Sequence, residues 1–258
     1  MTPTILELKN VSLKINGSTI LRDISLNGDQ GNIYGIFGSN GSGKTSLFNV
    51  ICGLHKLFTG EIKYYGLLPH RVDPILISKL GDGIARSFQV PTVVNELTVL
   101  DNLLLSHRFQ GDGFLSLIYR RKSDILLEQH ATEEIEIMLE KFKLKDKKNE
   151  YAGALSYGER RILSILATVL TNSKILLLDE PFANLNIYMI DSFKELFHYL
   201  KEKEKRLIMI IEHSPDYLMD LSDYYCHLHA HTLHQYRSNR ITNEDFIQMF
   251  KSFHHTYD

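Results

Sequence analysis

One run of eight residues restricts this chain more than any other feature: Gly38-Ser39-Asn40-Gly41-Ser42-Gly43-Lys44-Thr45. It lies between an apolar stretch, Ile33–Phe37, and a helical pattern from Leu47 to Leu54. The run matches G-x-x-x-x-G-K-[ST] in the strand-then-helix setting that gives the motif its meaning. Glycines let the main chain wrap closely around an anion, with amide hydrogens pointing inward. The helix that follows adds the positive end of its dipole. Lys44 is placed to reach the β- and γ-phosphates of a nucleoside triphosphate, and the Thr45 hydroxyl to ligate Mg²⁺. Ser46 belongs to the same cradle. The loop by itself does not choose among kinases, GTPases and motor ATPases.

A second signal is Ile175-Leu176-Leu177-Leu178-Asp179-Glu180, four apolar residues ending in two carboxylates. A buried parallel strand delivers both acids at its C-terminal edge, where open α/β sheets bind ligands. Asp179 suits the Mg²⁺-holding role. Glu180 suits a general base that orients the attacking water. Alone, the pattern also describes acids that merely end a strand; beside the phosphate loop it reads as the other half of one site.

Between these signals the chain changes character. Ile5–Leu8, Ser12–Ile15 and Ile20–Leu21 read as short strands divided by Asn10 and by Asn16-Gly17, the latter a hairpin turn. Residues 60–68 read as a further strand. From about Pro91 to Tyr151 the pattern is helical, with Ile135, Met138, Leu139 and Phe142 on one face of a helix over 124–142. Strands Ile175–Leu178 and Leu207–Ile211 flank a helix over Ile187–Lys203, an alternation that predicts a parallel sheet. Thr242-x-x-Asp245 opens a last helix carrying Phe246, Phe250 and Phe253.

Leu155-Ser156-Tyr157-Gly158-Glu159 precedes a helix running to about Leu170. Ser156 and Glu159 form the S-x-x-E capping box of an ordinary helix start. A Ser hydroxyl and a Gly amide at a helix N-terminus also suit a phosphate. This segment, ahead of the acidic strand end, resembles the signature motif of ABC-type ATPases, usually written LSGGQ. Arg86-Ser87-Phe88-Gln89 then resembles the family's Q-loop, Ala183-Asn184-Leu185-Asn186 its D-loop, and Glu212-His213 its switch histidine. The resemblance covers about residues 5–235.

It implies an α/β fold: one ABC-type P-loop ATPase cassette over 1–258. The parts are a mixed or parallel RecA-like core (1–88 and 172–235), an antiparallel β subdomain, a helical subdomain (about 90–171) and a C-terminal helix (about 242–254). It also implies a mechanism. Two ATPase subunits, identical or sister chains, face each other head to tail. Each ATP lies between the phosphate loop of one and Ser156, Tyr157, Gly158 and Glu159 of the other, with Asn184 nearby. Gln89 senses Mg²⁺, Glu180 polarises water and His213 contacts the γ-phosphate. The cycle drives transmembrane permease subunits and, through them, a solute-binding protein.

Several stretches resemble the ATPase subunits of branched-chain amino acid importers: Gly83–Gln89, Glu96–Asn102, Leu155–Gly158 and Ile211–His213. Related urea, amide and lipopolysaccharide transport ATPases share parts of the pattern. Three departures stand out. The family stacks adenine on an aromatic residue where this chain has Ile15. Glu159 replaces the common Gln and adds negative charge near phosphate. The family's Gly-containing hairpin after His213 becomes Cys226-His227-Leu228-His229-Ala230-His231-Thr232-Leu233-His234. With the two-residue period His227, His229 and His231 share a strand face, and imidazoles suit Zn, Cu or Ni. The run lacks an acid or a second Cys to complete a ligand set.

Composition narrows the classes. With 258 residues, 43% apolar and 23% charged, the chain is an ordinary globular protein of one large or two small domains at roughly 150 residues each. Lys+Arg 29 against Asp+Glu 31 argues against a strongly basic nucleic-acid binder and leaves room for a local basic patch. Cys52 and Cys226 form no close pair and exclude a disulfide framework. The start lacks a secretion signal, and no apolar run approaches the ~20 residues of a membrane span. The expected location is the cytoplasmic face of the inner membrane. The apolar–basic stretch 107–122 is either a helix packed on its own domain or a contact with permease or membrane, and Val90–Leu97 is the better candidate for coupling. Lys141–Lys148 reads as a solvated helix end. The alternatives are an exporter ATPase for a lipid, lipopolysaccharide or natural product, a non-transport ABC ATPase, and a P-loop kinase. The last leaves Ser156 and His213 without a role.

Overall fold

The strand β1 (Thr4–Ile15) turns through Asn16-Gly17 into β2 (Ser18–Asp29). Both turn residues have positive φ, 50° and 82°, as an Asn-Gly hairpin turn requires. The expected break at Asn10 is not a turn. β1 runs through it with Asn10 at φ 48° and a register shift between Leu8 and Val11, so Asn10 makes a bulge. The Ser25 hydroxyl accepts its N–H at 3.0 Å. β2 likewise runs unbroken past Asp23. The chain continues as β3 (Ile33–Phe37), α1 (Lys44–Ile51) and β4 (Thr59–Tyr64). β4 pairs antiparallel with β1, giving a three-stranded sheet of order β2-β1-β4.

A computed structural model describes residues 2–68, 83–108 and 122–252. They divide into two compact units. The first comprises Met1–Arg86, Lys174–Pro181 and Lys194–Asp258. Its second sheet has six strands in the order β5-β6-β7-β3-β8-β9. These are β5 (Ile84–Ser87), β6 (Ile175–Asp179), β7 (Leu207–Ile211), β8 (Tyr224–His229) and β9 (Thr232–Arg237) around β3. β6 pairs parallel with β7, β7 with β3 and β3 with β8; β9 is antiparallel to β8. Every residue of β3, β6 and β7 is buried. That is why these strands read as unbroken apolar runs and not as alternation.

The second unit comprises Ser87–Ser173 and Phe182–Phe193. It holds α2 (Val99–Arg108), α3 (Lys122–Lys141), α4 (Tyr157–Leu170) and the start of α5 (Ile187–Glu202). Ile135, Leu139 and Phe142 are buried, with Phe142 4.3 Å from Phe193 between ring centroids. Met138 is half-buried and Ile137 exposed. The Asn102 side chain pins the preceding loop, accepting the Val94 N–H at 2.8 Å and donating to the Val94 carbonyl at 3.0 Å. Most of the apolar–basic stretch, 109–121, lies outside the described residues.

In the first unit, after α6 (Pro215–Leu221), the last described helix is α7 (Asn243–Ser252), opened by Thr242 and Asp245. The Thr242 hydroxyl accepts the Asp245 N–H at 3.1 Å and donates to its carboxylate at 2.7 Å. Phe246 and Phe250 are buried, each with its ring 5.2 Å from Phe37. Phe253 lies outside the described residues. Both cysteines are free thiols, and burial pushes the Cys226 thiol up.

The histidine run does not form the three-residue face that its spacing suggests. His227 and His229 share a face of β8, rings 5.5 Å apart. The strand ends at His229, and Ala230 and His231 form the turn with φ of 45° and 71°. His231 thereby leaves the face, its Nδ1 donating to the Ile20 carbonyl at 3.2 Å. Among the described residues no group of three His, Cys, Asp or Glu side chains is placed to hold a metal. His227 instead packs into the core against Phe37, 5.0 Å away. Burial, then His229 and His234, push its pKa down from 6.5 to about 4. The unfolded chain therefore takes up this proton first, so stability is full above about pH 6.5 and falls as pH drops toward 4. At pH 5 the cost is about 2 kcal/mol. His227→Phe retains the stacking and should lose that component, so its urea midpoint should fall less than the parent's on acidification from pH 7 to 5. Parallel pH profiles would assign the titration elsewhere.

Candidate functional site

β3, an interior strand, delivers the phosphate loop at its carboxyl end. A Cβ on Gly38 would lie 2.2 Å from the Leu228 carbonyl oxygen of β8, so no side chain fits there. Gly43, at φ 104°, sits against the Ile20 carbonyl and the Leu21 side chain. It is the N-cap of α1 and supplies no capping side chain, which leaves the first-turn amides open to an anion. The Lys44 ammonium is buried and donates to the Gly38 and Ser39 carbonyls at 2.8 and 2.9 Å. Burial pushes its pKa down, opposed by Glu180 and Asp179. The Ser42 hydroxyl is buried with no partner among the described residues.

Asp179 ends β6 and is 1% exposed. Its Oδ2 accepts from Arg86 Nη2 at 3.2 Å, and it is hydrogen-bonded to the Thr45 hydroxyl. Burial raises its carboxyl, and the Arg86 guanidinium opposes the rise. Arg86 is itself positioned by α1. It donates to the Asn49 side-chain oxygen at 2.6 Å and lies over the Phe48 ring at 5.5 Å. Glu180 has φ 50°, its N–H donating to the Ile211 carbonyl at 2.9 Å. That turn brings its Oε1 2.9 Å from His213 Nε2, just past the end of β7. A carboxylate only accepts, so the imidazole donates. Lys44, Thr45, Asp179, Glu180 and His213 thus meet in the first unit. Ile15 is half-buried at the β1–β2 turn, with Lys14 reaching 4.0 Å over the Phe58 ring.

The second unit positions the other residues. Gln89 is exposed, and the fully buried Arg161 donates to the main-chain carbonyls of Phe88 and Gln89. Ser156 caps α4 with a complete capping box. Its hydroxyl accepts the Glu159 N–H at 3.3 Å, and Glu159 accepts the Ser156 N–H at 2.9 Å. Tyr157 is exposed. A Cβ on Gly158 would meet only the Asn184 carbonyl oxygen, at 3.6 Å. That is ordinary contact distance, so the subunit itself has room for a side chain there. Asn184 is exposed at φ 60°.

Residues 21–183 match the family described as ABC transporter. The chain belongs to that family. It is 30% identical over 230 residues to the high-affinity branched-chain amino acid transport ATP-binding protein BraF of Pseudomonas aeruginosa, covering 87% of this chain and 88% of the relative. It is 29% identical over 224 residues to LivG of Salmonella typhimurium, covering 86% and 87%. A solved ATP-binding cassette of an ABC transporter in its ADP conformation superposes with a TM-score of 0.75 at 26% identity, covering 97% of this chain and 96% of that one. This ABC protein is an ATPase subunit with the cassette fold.

Four residues that hold the candidate site residues or their neighbours went unread in the sequence as individuals: Arg86, Asn49, Arg161 and Lys147, which pairs with Glu159. Arg86 and Lys147 were quoted only within longer runs. A charged residue next to a motif carries no sign of its partner, and these partners lie 12 to 93 positions away. Arg86→Leu leaves Asp179 buried without its countercharge. It should destabilise the protein by about 3 kcal/mol at pH 7. The deficit should shrink toward pH 4, because a carboxyl raised further by burial takes up a proton there and sheds its charge. Urea unfolding at the two pH values measures both. A pH-independent deficit would mean lost packing alone.

Proposed function

We propose that this chain hydrolyses ATP as one of two ATPase subunits of a branched-chain amino acid importer, docked through permease subunits on the cytoplasmic membrane face. The carrying observation is that Glu180 and His213 form a hydrogen-bonded pair at the strand edge that holds Lys44, Thr45 and Asp179. The import reading is supported by the names of the relatives and by the run Gly83–Gln89. No described helix is long and apolar enough to cross a membrane, which fits a subunit that acts through separate permease chains.

In this reading the phosphates of ATP enter the loop Gly38–Ser46. Lys44 turns from the Gly38 and Ser39 carbonyls to the β- and γ-phosphates. Glu180 takes a proton from the attacking water, whose oxygen bonds the γ-phosphorus as the bond to the β–γ bridging oxygen breaks. His213 orients the Glu180 carboxylate and reaches the γ-phosphate. Thr45 and Asp179 offer hard oxygen donors that fit Mg²⁺; bound there, it would offset charge on the β- and γ-phosphate oxygens. The Ser156 hydroxyl and the first-turn amides of α4, with Tyr157, Gly158, Glu159 and Asn184, close the site from the second subunit. The room at Gly158 matters here: the subunit does not need a glycine at that point, but an approaching phosphate does.

Glu180→Gln keeps shape and removes the base. Turnover should fall at least about 100-fold, with ATP affinity within about twofold of the parent. Near-parental turnover would remove Glu180 from the chemistry. Ile15→Tyr should tighten ATP about fivefold or more, on the scale of base–aromatic stacking. Unchanged affinity would show that Ile15 is not at the base. For the substrate, reconstitution with the cognate permease and solute-binding protein should give ATP-dependent uptake of leucine, isoleucine or valine. Efflux of a lipid instead would convert the reading to an exporter.

A further inference from the structure

Glu159 stands where the family's signature carries a neutral Gln. It places a carboxylate in the first turn of α4, where the proposed function requires a γ-phosphate to bind. Two like charges at one helix end repel, and the helix dipole holds both there. The structure offers a way out of this conflict. Lys147, from the lysine-rich stretch before α4, lies 2.7 Å from Glu159 Oε1. The other carboxylate oxygen, Oε2, accepts the Ser156 N–H. Both oxygens are thereby engaged, and the Ser156 hydroxyl also donates to this carboxylate.

The neighbouring lysines are directed elsewhere. Lys145 pairs with Glu140 at 2.8 Å and Lys148 with Glu136 at 2.5 Å. Of these three, Lys147 is the one that reaches α4. The stretch is therefore not only a solvated helix end. Lys147 holds the Glu159 carboxyl below the usual carboxylate range, helped by the Ser156 N–H, and Glu159 holds the Lys147 ammonium up. Both groups stay charged around neutral pH.

We propose that Lys147 is a positioning residue that neutralises Glu159, so that a signature helix carrying an acid still accepts the ATP γ-phosphate of the opposing subunit. This rests on the reading of the Ser156 segment as a phosphate reader in a two-subunit site. The pair keeps the capping box intact and the local net charge at zero. The property that matters is that sum, not the identity of either residue. Lys147→Ala leaves a charge of −1. Glu159→Gln leaves +1. The double variant returns to zero.

The test measures ATP-driven dimerisation by sedimentation in a Glu180→Gln background, with circular dichroism to confirm folding and Lys147→Met as a second variant that keeps the aliphatic stem. Gly158→Asp tests the underlying reading. It fits the subunit sterically but sets a second acid against the incoming phosphate, so it should abolish the dimer. Lys147→Ala and Lys147→Met should weaken dimerisation about fivefold or more, with the deficit shrinking as salt rises from 50 to 500 mM. ATP affinity of the isolated subunit should be unchanged. Adding Glu159→Gln to Lys147→Ala should restore parental dimerisation. If Gly158→Asp dimerises normally, the reading of the Ser156 segment fails. If Gly158→Asp blocks the dimer while the Lys147 variants match the parent, or the double variant stays as weak as Lys147→Ala, the neutralising role is overturned.

Discussion

The first amides of α1 have no partner within their own helix, and the first unit is arranged around that deficit. An N-cap side chain would normally fill it. Gly43 withholds one, and Gly38 packs too tightly on Leu228 for any side chain to intrude. Lys44 meanwhile rests on the loop's own carbonyls. The loop therefore keeps its shape with its donors unspent. The parallel strands β6, β7 and β3 hold the ends carrying Asp179, His213 and Gly38 in register beside it. Strand burial and site geometry are one design.

The same economy of charge recurs in both units. Asp179 is buried next to Arg86, and Glu159 is tied to Lys147. In each case an acid that a phosphate would otherwise repel is matched by a base from another segment of the chain. The two differ in exposure, and so in what they control. The Arg86–Asp179 pair is nearly dry, so breaking it costs folding energy. The Lys147–Glu159 pair is partly solvated and adds little to stability. Its consequence is the local potential that an incoming phosphate meets.

The histidine hairpin illustrates how tertiary context redirects a pattern. Period-two spacing holds only while the strand continues. The turn at Ala230-His231 ends it two residues early, because β2 draws the turn in: the Arg22 N–H donates to the His231 carbonyl at 2.8 Å, and His231 Nδ1 donates to Ile20. What spacing suggested as a ligand set becomes one core ring, one exposed ring and one turn anchor.

Sequence alone determined the phosphate loop, the apolar strands of the parallel sheet, the Ser156 cap and the Thr242 cap. Each is written in residues close together in the chain, where glycine freedom, strand burial or a side chain's reach to its own backbone decides the outcome. It also carried the family, since the order of the motifs needs no coordinates. Only the tertiary structure decided that Asn10 bulges where a turn was expected, that His231 leaves the strand face, that Arg86 holds Asp179 and that Lys147 meets Glu159. These depend on contacts across 12 or more residues, set by packing and by the electrostatic need to pair buried or clustered charge. No local pattern encodes which distant partner will arrive.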